Sequence, residues 1–415
     1  MSNHTSGATR ALPDRPSLRH LRDQAKDLLK SGGAVTLADA QFQVARSYGF
    51  TSWSKLKAHV NSLAESGKLK DALKDAIDRN DLPLVQSMMA RNPALHQAPL
   101  GYGNDGPLTW VAECRVPFVA PNRTRLAMAK WMIENGSDIH RGGDAPLMRA
   151  ALNPQRIPMM ELLVSLGADV NAAWHGHYPI IFASCEALNP LSLEWLLNHG
   201  ADPNCGSPDA WRERGVAYPG TALDYVLVTY ARDPEKLSAC IDILLAAHGK
   251  SRYESPAVFA VLRGHVDELR ELLDADPALI HRRFSELDFG TTAARGLTLR
   301  GCTLLHVAAE FQRLDAATAL LERGADANAK ATLDEAGVGG QTPIFHAATQ
   351  YDDAGLPLVR LLVDRGADLT IRAKLPGSYE EPGSTVECTP LGYALSFPGD
   401  QGPTSLYLRE RGGAE

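Results

Sequence analysis

A seven-residue phrase of the form Thr/Ser-Pro-Leu/Ile-x-x-Ala-Ala recurs along this chain, followed by a leucine-rich stretch and closed in its clearest copies by Gly-Ala-Asp. The clearest openings begin at Thr303, Thr342 and Thr389, and weaker copies begin at Gly106, Ala145, Tyr178, Thr221 and Ser255. The clearest closings are Gly167-Ala168-Asp169, Gly200-Ala201-Asp202, Gly324-Ala325-Asp326 and Gly366-Ala367-Asp368. Two of the steps, Ala145 to Tyr178 and Thr221 to Ser255, are 33 and 34 residues long. The longer steps carry a surplus of Gly, Pro and polar residues, which reads as inserted loops. Self-similarity at this period means stacked supersecondary units, and it decides the fold before any single segment does.

Each part of the phrase has a physical role. A Thr or Ser hydroxyl ahead of Pro caps free amides at a helix start, and Pro fits the first turn. Paired alanines such as Ala308-Ala309 allow close helix packing. The leucines Leu162, Leu163, Leu196, Leu197, Leu320, Leu321, Leu361 and Leu362 are the expected shared core of the second helices. Gly324 and Gly366 end a helix where a left-handed backbone is needed. One unit cannot bury its apolar face alone, so at least three must stack.

These residues resemble the ankyrin repeat, a turn followed by two antiparallel helices, over roughly residues 69 to 415. The resemblance implies an all-α ankyrin-repeat solenoid of about nine units with long finger loops. It also implies a rigid, curved scaffold that binds a partner protein through its fingers and concave helical face. A second echo pairs Val85–Leu95 with Leu269–Leu279, both ending in Asn/Asp-Pro-Ala-Leu. This divides the repeats into a first sub-array over 69–250 and a second over 251–415, with one continuous array as the alternative.

Ahead of the repeats, residues 1–16 read as a flexible leader and 17–66 as a helical capping segment. Ser17, Thr36 and Ser52 each start a helix there, with Thr36 and Asp39 forming a capping box. Ser31-Gly32-Gly33 and Gly49 end the first two, and the third is expected from Trp53 to about Leu63. Phe42, Tyr48, Phe50 and Trp53 are the expected small aromatic core. The string from Ala45 to Lys57 resembles the helical segment found ahead of bacterial ankyrin arrays, which implies a bacterial source.

Composition narrows the function classes. No stretch approaches the roughly 18 to 20 apolar residues of a membrane helix, and the polar start lacks a secretory core, so a cytoplasmic location is expected. The six cysteines show no Cys-x-x-Cys pair, which argues for reduced structural thiols and against a zinc site. Of the net charge of −7, residues 1–60 contribute nine Lys/Arg against four acids. That local excess permits nucleic-acid attachment through the N-terminal segment, but a duplex-DNA binder needs a broader basic surface. The expected partner is an unidentified protein, met by a monomer without a cofactor.

The long loops 97–105, 172–177, 203–219, 281–301, 328–340 and 370–387 fall between units, where insertions line one face. They carry the rings and guanidiniums that recognition surfaces favour. The candidates for partner contact are Tyr102, Trp174, His175, Trp211, Arg212, Arg214, Tyr218, Arg283, Phe284, Arg295 and Tyr379. Catalytic and metal residues are not expected. His175-Gly176-His177 lacks a third ligand, and no phosphate loop or nucleophile elbow occurs. His306 matches the repeat's own turn histidine, and Asp169 and Asp326 are turn residues. An enzyme or enzyme regulator with its site in loops 281–301 or 370–387 is the alternative.

Overall fold

The computed structural model describes residues 10–13, 16–116, 119–206, 220–291, 295–377, 383–396 and 402–414. It divides into two compact units, Met1–Asp138 and Ile139–Glu415.

The first unit holds α1 (Leu18–Lys30), α2 (Leu37–Ser47), α3 (Trp53–Asp78), α4 (Leu82–Arg91), α5 (Pro107–Glu113) and α6 (Arg123–Glu134). The expected caps are present: Ser17, Thr36 and Ser52 accept the amides of His20, Asp39 and Lys55. Leu21, Ala25, Val44, Leu56 and Val60 form a buried core, with Tyr48, Phe50 and Trp53 packed against it. Phe42 departs from expectation, since it is 49% exposed.

The third helix departs further. It does not stop near Leu63 but runs on to Asp78, 26 residues in all from Trp53. Between Leu63 and Asp78 no proline intervenes, Gly67 is the weakest helix former, and the Ala, Leu and Lys residues around it propagate the helix. The capping segment and the first helix of the repeats are therefore one rod. Leu56 and Val60 serve the small core, while Leu73 and Ile77 are buried further along the same helix.

Among the described residues the second unit stacks seven helix pairs: α7 (Arg141–Ala151) with α8 (Ile157–Ser165), α9 (Ile180–Glu186) with α10 (Pro190–Asn198), and α11 (Ala222–Val228) with α12 (Pro234–Ala246). Then come α13 (Pro256–Arg263) with α14 (Val266–Ala275), α15 (Leu304–Glu310) with α16 (Leu314–Glu322), α17 (Pro343–Ala348) with α18 (Leu356–Asp364), and α19 (Pro390–Leu395) with α20 (Pro403–Glu410). Seven of the eight expected openings lie within two residues of a helix start, and the eighth, Ala145, follows three left-handed residues, Gly142 to Asp144, at the head of α7. First helices pack on first helices, α7 on α9, α13 on α15, α15 on α17 and α17 on α19. Second helices do the same, and α12 packs on α13, so contact runs through position 250. In α15 every residue is buried, because this short helix lies between two neighbours. One leucine of each expected pair is fully buried (Leu163, Leu196, Leu320, Leu362) and its partner is half-buried.

The turns are cross-linked. Asp169, Asp202 and Asp326 accept the amides of Asn171, Asn204 and Asn328, two residues on. Each asparagine then reaches the next turn: Asn171 Nδ2 donates to Gly200 O and its Oδ1 accepts from Asp202 N. Asn328 repeats this with Gly366 and Asp368, and Asn204 does so with His248 and Lys250.

Two short antiparallel ribbons interrupt the helices, β1 (Ala173–Trp174) with β2 (Tyr178–Pro179), and β3 (Ala373–Pro376) with β4 (Thr385–Cys388). Gly143 supports the first. Its φ is +73°, and a Cβ there would stand 2.1 Å from the Ala173 carbonyl oxygen. Gly143→Ala is expected to lower stability by about 2 kcal/mol or more, through strain and overpacking together. The shift in the urea midpoint at unchanged slope checks it.

Candidate functional site

Three of the inserted loops in the second unit join into one ribbon. The first finger (281–301) closes on itself through Phe284 N–H to Cys302 O at 2.9 Å and Gly301 N–H to Phe284 O at 2.7 Å. Thr332 N–H donates to Gly301 O at 3.1 Å and so ties the second finger (328–340) to the first. Ala331 N–H to Gln341 O closes the second, and Gly339 N–H to Lys374 O at 2.7 Å joins it to β3. β3 then pairs with β4 from Ala373–Cys388 to Pro376–Thr385. Backbone hydrogen bonds thus run sideways across three repeats, which leaves these loops little freedom to lose on binding.

The ribbon encloses a cleft of about 300 Å³, lined by Leu297, Leu333, Val338, Leu375 and Pro376 with Arg283, Arg300 and Asp334. Leu333 is 59% exposed. Arg300 and Arg283 are exposed, and Arg283 Nε is oriented by Lys330 O at 2.9 Å.

Beneath the first finger lies a buried ionic cluster that sequence reasoning missed. Glu310, fully buried at the end of α15, accepts from Arg232 Nε and Nη2 at 3.0 Å each. It also accepts from Arg295 Nη2 at 3.0 and 2.8 Å and from His346 Nδ1 at 2.8 Å. Burial alone would raise this carboxyl, but the two guanidiniums and His346 outweigh it and bring its pKa to about 2. Arg232 also donates to the carbonyls of Gly290 and Thr291, so the cluster fastens the finger to the helices. Burial lowers the pKa of His346, which holds it neutral.

His306 acts as the resemblance implies. Its Nδ1 accepts from Thr303 N at 3.1 Å, so Nε2 carries the proton and donates to Gln341 O at 3.1 Å. Burial and neighbouring His346 push its pKa down to about 3.

The sequence-derived candidates separate in space. Arg283 lines the cleft, whereas Phe284 and Arg295 are 0% and 1% exposed and build the finger from inside. Their burial takes them off the surface expected to meet a partner. Trp174 and His175 pack edge-on at 4.6 Å beside His177 on a separate finger. Among the described residues no group of three potential metal ligands forms. Tyr102 belongs to the first unit and is 56% exposed. Trp211, Arg212, Arg214, Tyr218 and Tyr379 lie outside the described residues. No two cysteines are joined by a disulfide among the described residues. No helix among the described residues is long and apolar enough to cross a membrane.

Stacked helix pairs with laterally bonded fingers define a helical-repeat protein. A family model described as ankyrin repeats in three copies matches residues 229–331, and a single ankyrin repeat model matches 339–374. Those residues are ankyrin repeats, and the fold is an all-α ankyrin-repeat solenoid. The chain is 24% identical over 293 residues to ankyrin repeat protein FPV022 of Fowlpox virus (strain NVSL), covering 67% of this chain and 45% of that one. It is 27% identical over 179 residues to ankyrin repeat and SOCS box protein 6 of Homo sapiens, covering 39% and 40%. The protein of the same name from Pongo abelii is 28% identical over the same length. The chain thus spans less than half the length of these curated relatives. The human ASB11 ankyrin repeat domain is similar at 23% identity, with a TM-score of 0.31, 65% of this chain and 99% of that one covered. Ankyrin repeats are generally protein–protein interaction modules, and proteins built from them are generally not enzymes.

Proposed function

We propose that this chain is a non-catalytic scaffold that holds a protein partner on the ribbon formed by fingers 281–301, 328–340 and β3–β4. The observation that carries the reading is the lateral hydrogen bonding of three fingers around an apolar cleft with exposed Leu333 and Arg300. A pre-ordered surface with an apolar centre and charged rim has the anatomy of an interface.

The enzyme alternative would look first to Cys302. Its Sγ lies 3.9 Å from His346 Nε2, and His346 in turn faces Glu310. The order is that of nucleophile, base and orienting acid. The chemistry opposes it. Cys302 is fully buried, burial pushes its thiol up, and burial pushes His346 down, so a neutral thiol faces a neutral imidazole. Activated thiolates sit in exposed, electropositive surroundings.

A cytoplasmic setting suits cysteines that form no disulfide among the described residues, and a monomer is the proposed working form. The relatives come from a poxvirus and two primates, which lends the expected bacterial source no support.

The test is affinity capture with the double variant Arg283→Glu, Leu333→Asp as control. Partner recovery is expected to fall at least roughly tenfold, as for loss of a hot spot. The melting temperature is expected to stay within about 2 °C, as for surface substitutions. Undiminished recovery would remove the ribbon from the proposal.

A further inference from the structure

The first unit carries a groove of different character, apart from the ribbon. One wall is a stripe of α3, on which Leu63, Gly67, Lys70 and Lys74 recur at helical spacing, with Lys68 beside them. The other wall is the finger 99–104 with Trp110 and Arg115. The volume between them is about 730 Å³.

The walls are set firmly. Trp110 Nε1 donates to Asp78 Oδ1 at 2.7 Å, which fixes the indole, and Lys74 Nζ stands 4.4 Å from the ring centre. The finger closes through Gly106 N–H to Leu100 O at 3.0 Å. At Gly101 (φ +80°) the loop comes so near Trp110 that a Cβ would lie 3.3 Å from Cε3. Tyr102 therefore projects from a braced loop, exposed, beside the groove.

The lining holds four cations, Lys68, Lys70, Lys74 and Arg115, and one anion, Asp71. Arg115, itself exposed, sits 3.8 Å from buried Glu113, which offsets part of its charge and leaves the three lysines as the main cations of the groove. The groove is thus an electropositive pocket in a chain of net charge −7, where attraction is local to the groove.

We infer that this groove binds an acidic peptide segment of a partner protein, carboxylates on Lys70 and Lys74 and an apolar side chain between Tyr102 and Trp110. The favoured ligand is short. A nucleic-acid backbone extending along α3 would meet Glu65, Asp71, Asp75 and Asp78, whereas two or three carboxylates with an intervening apolar residue stay within the basic walls.

The probe is a fluorescein-labelled peptide, Glu-Glu-Leu-Glu-Glu-Phe, titrated into the full chain by polarisation at about 50 mM salt, where the Debye length exceeds 10 Å. Saturable binding that weakens steeply with added salt is expected. Lys70→Glu with Lys74→Glu should weaken it at least roughly tenfold, and Tyr102→Ala roughly fivefold. Both variants should keep the unfolding midpoint, and Lys70→Gln with Lys74→Gln should give an intermediate loss. The ribbon variant Arg283→Glu, Leu333→Asp should bind the probe normally, which separates this site from the scaffold proposal. The inference is overturned by no saturation below about 1 mM (a free energy near −4 kcal/mol), by binding indifferent to charge reversal, or by equal binding of the lysine-for-glutamate peptide. Tighter binding of a single-stranded oligothymidylate would overturn it in favour of nucleic acid.

Discussion

Glu310→Gln should cost about 3–5 kcal/mol of folding free energy, the range for removing one partner from a buried ion pair. The side chain keeps its shape, so the loss is electrostatic. In the native chain one carboxylate faces Arg232 and Arg295, both nearly inaccessible to solvent. The amide cannot balance two guanidiniums, and its NH₂ group would face at least one donor. An uncompensated buried cation is far more costly than the pair's net contribution. The effect should also be regional. Because Arg232 holds Gly290 and Thr291 and Arg295 belongs to the first finger, amide exchange there should rise before global unfolding. The control is Glu322→Gln on the exposed side of α16, expected to shift stability by no more than about 0.5 kcal/mol. Equal urea midpoints for the two variants would show that the cluster contributes no stability.

Acid should weaken the protein well before ordinary carboxylates titrate. His306 has its pKa lowered from 6.5 to about 3, so the unfolded chain takes up that proton first. Its contribution is complete above about pH 6.5 and is lost progressively as the pH falls toward 3. At about 1.4 kcal/mol per unit, the full loss approaches 5 kcal/mol. Glu310, lowered from 4.5 to about 2, adds a second loss between those values with the same sign. Burial lowers His346 as well, in the same direction. Urea midpoints measured from pH 7.5 to 4.5 should therefore stay level to about pH 6.5 and then decline, and most of the early slope belongs to histidine. In His306→Gln, which stays neutral, the slope between pH 6.5 and 5 should flatten. A slope unchanged by the substitution would contradict the assignment.

The residues explain which parts of this architecture sequence reasoning reached. Helix starts were legible because Thr, Ser and Pro act on their own few neighbours; Thr389, for example, accepts the amide of Gly392 as its position predicts. Turn aspartates and His306 were legible for the same local reason. The Asn171, Asn204 and Asn328 links left a visible signal, an asparagine two places after each of three Gly-Ala-Asp closings, whose reach into the next repeat needed the stack. The Glu310 cluster left none, since its partners lie 15 to 78 residues away and meet only when four segments pack. Phe284 and Arg295 were misjudged because a long loop suggests exposure, while this finger has a core of its own in Phe284, Phe289, Leu297 and Leu299.

The uninterrupted third helix governs how the amino-terminal region comes apart. A chain shortened to begin at residue 69 would start midway along it, leaving ten of its 26 residues without an end cap and without Leu56 and Val60. Such a stub frays, since isolated helices of this length are marginal in water. The leading bundle and the opening repeat should accordingly melt in one cooperative step rather than two.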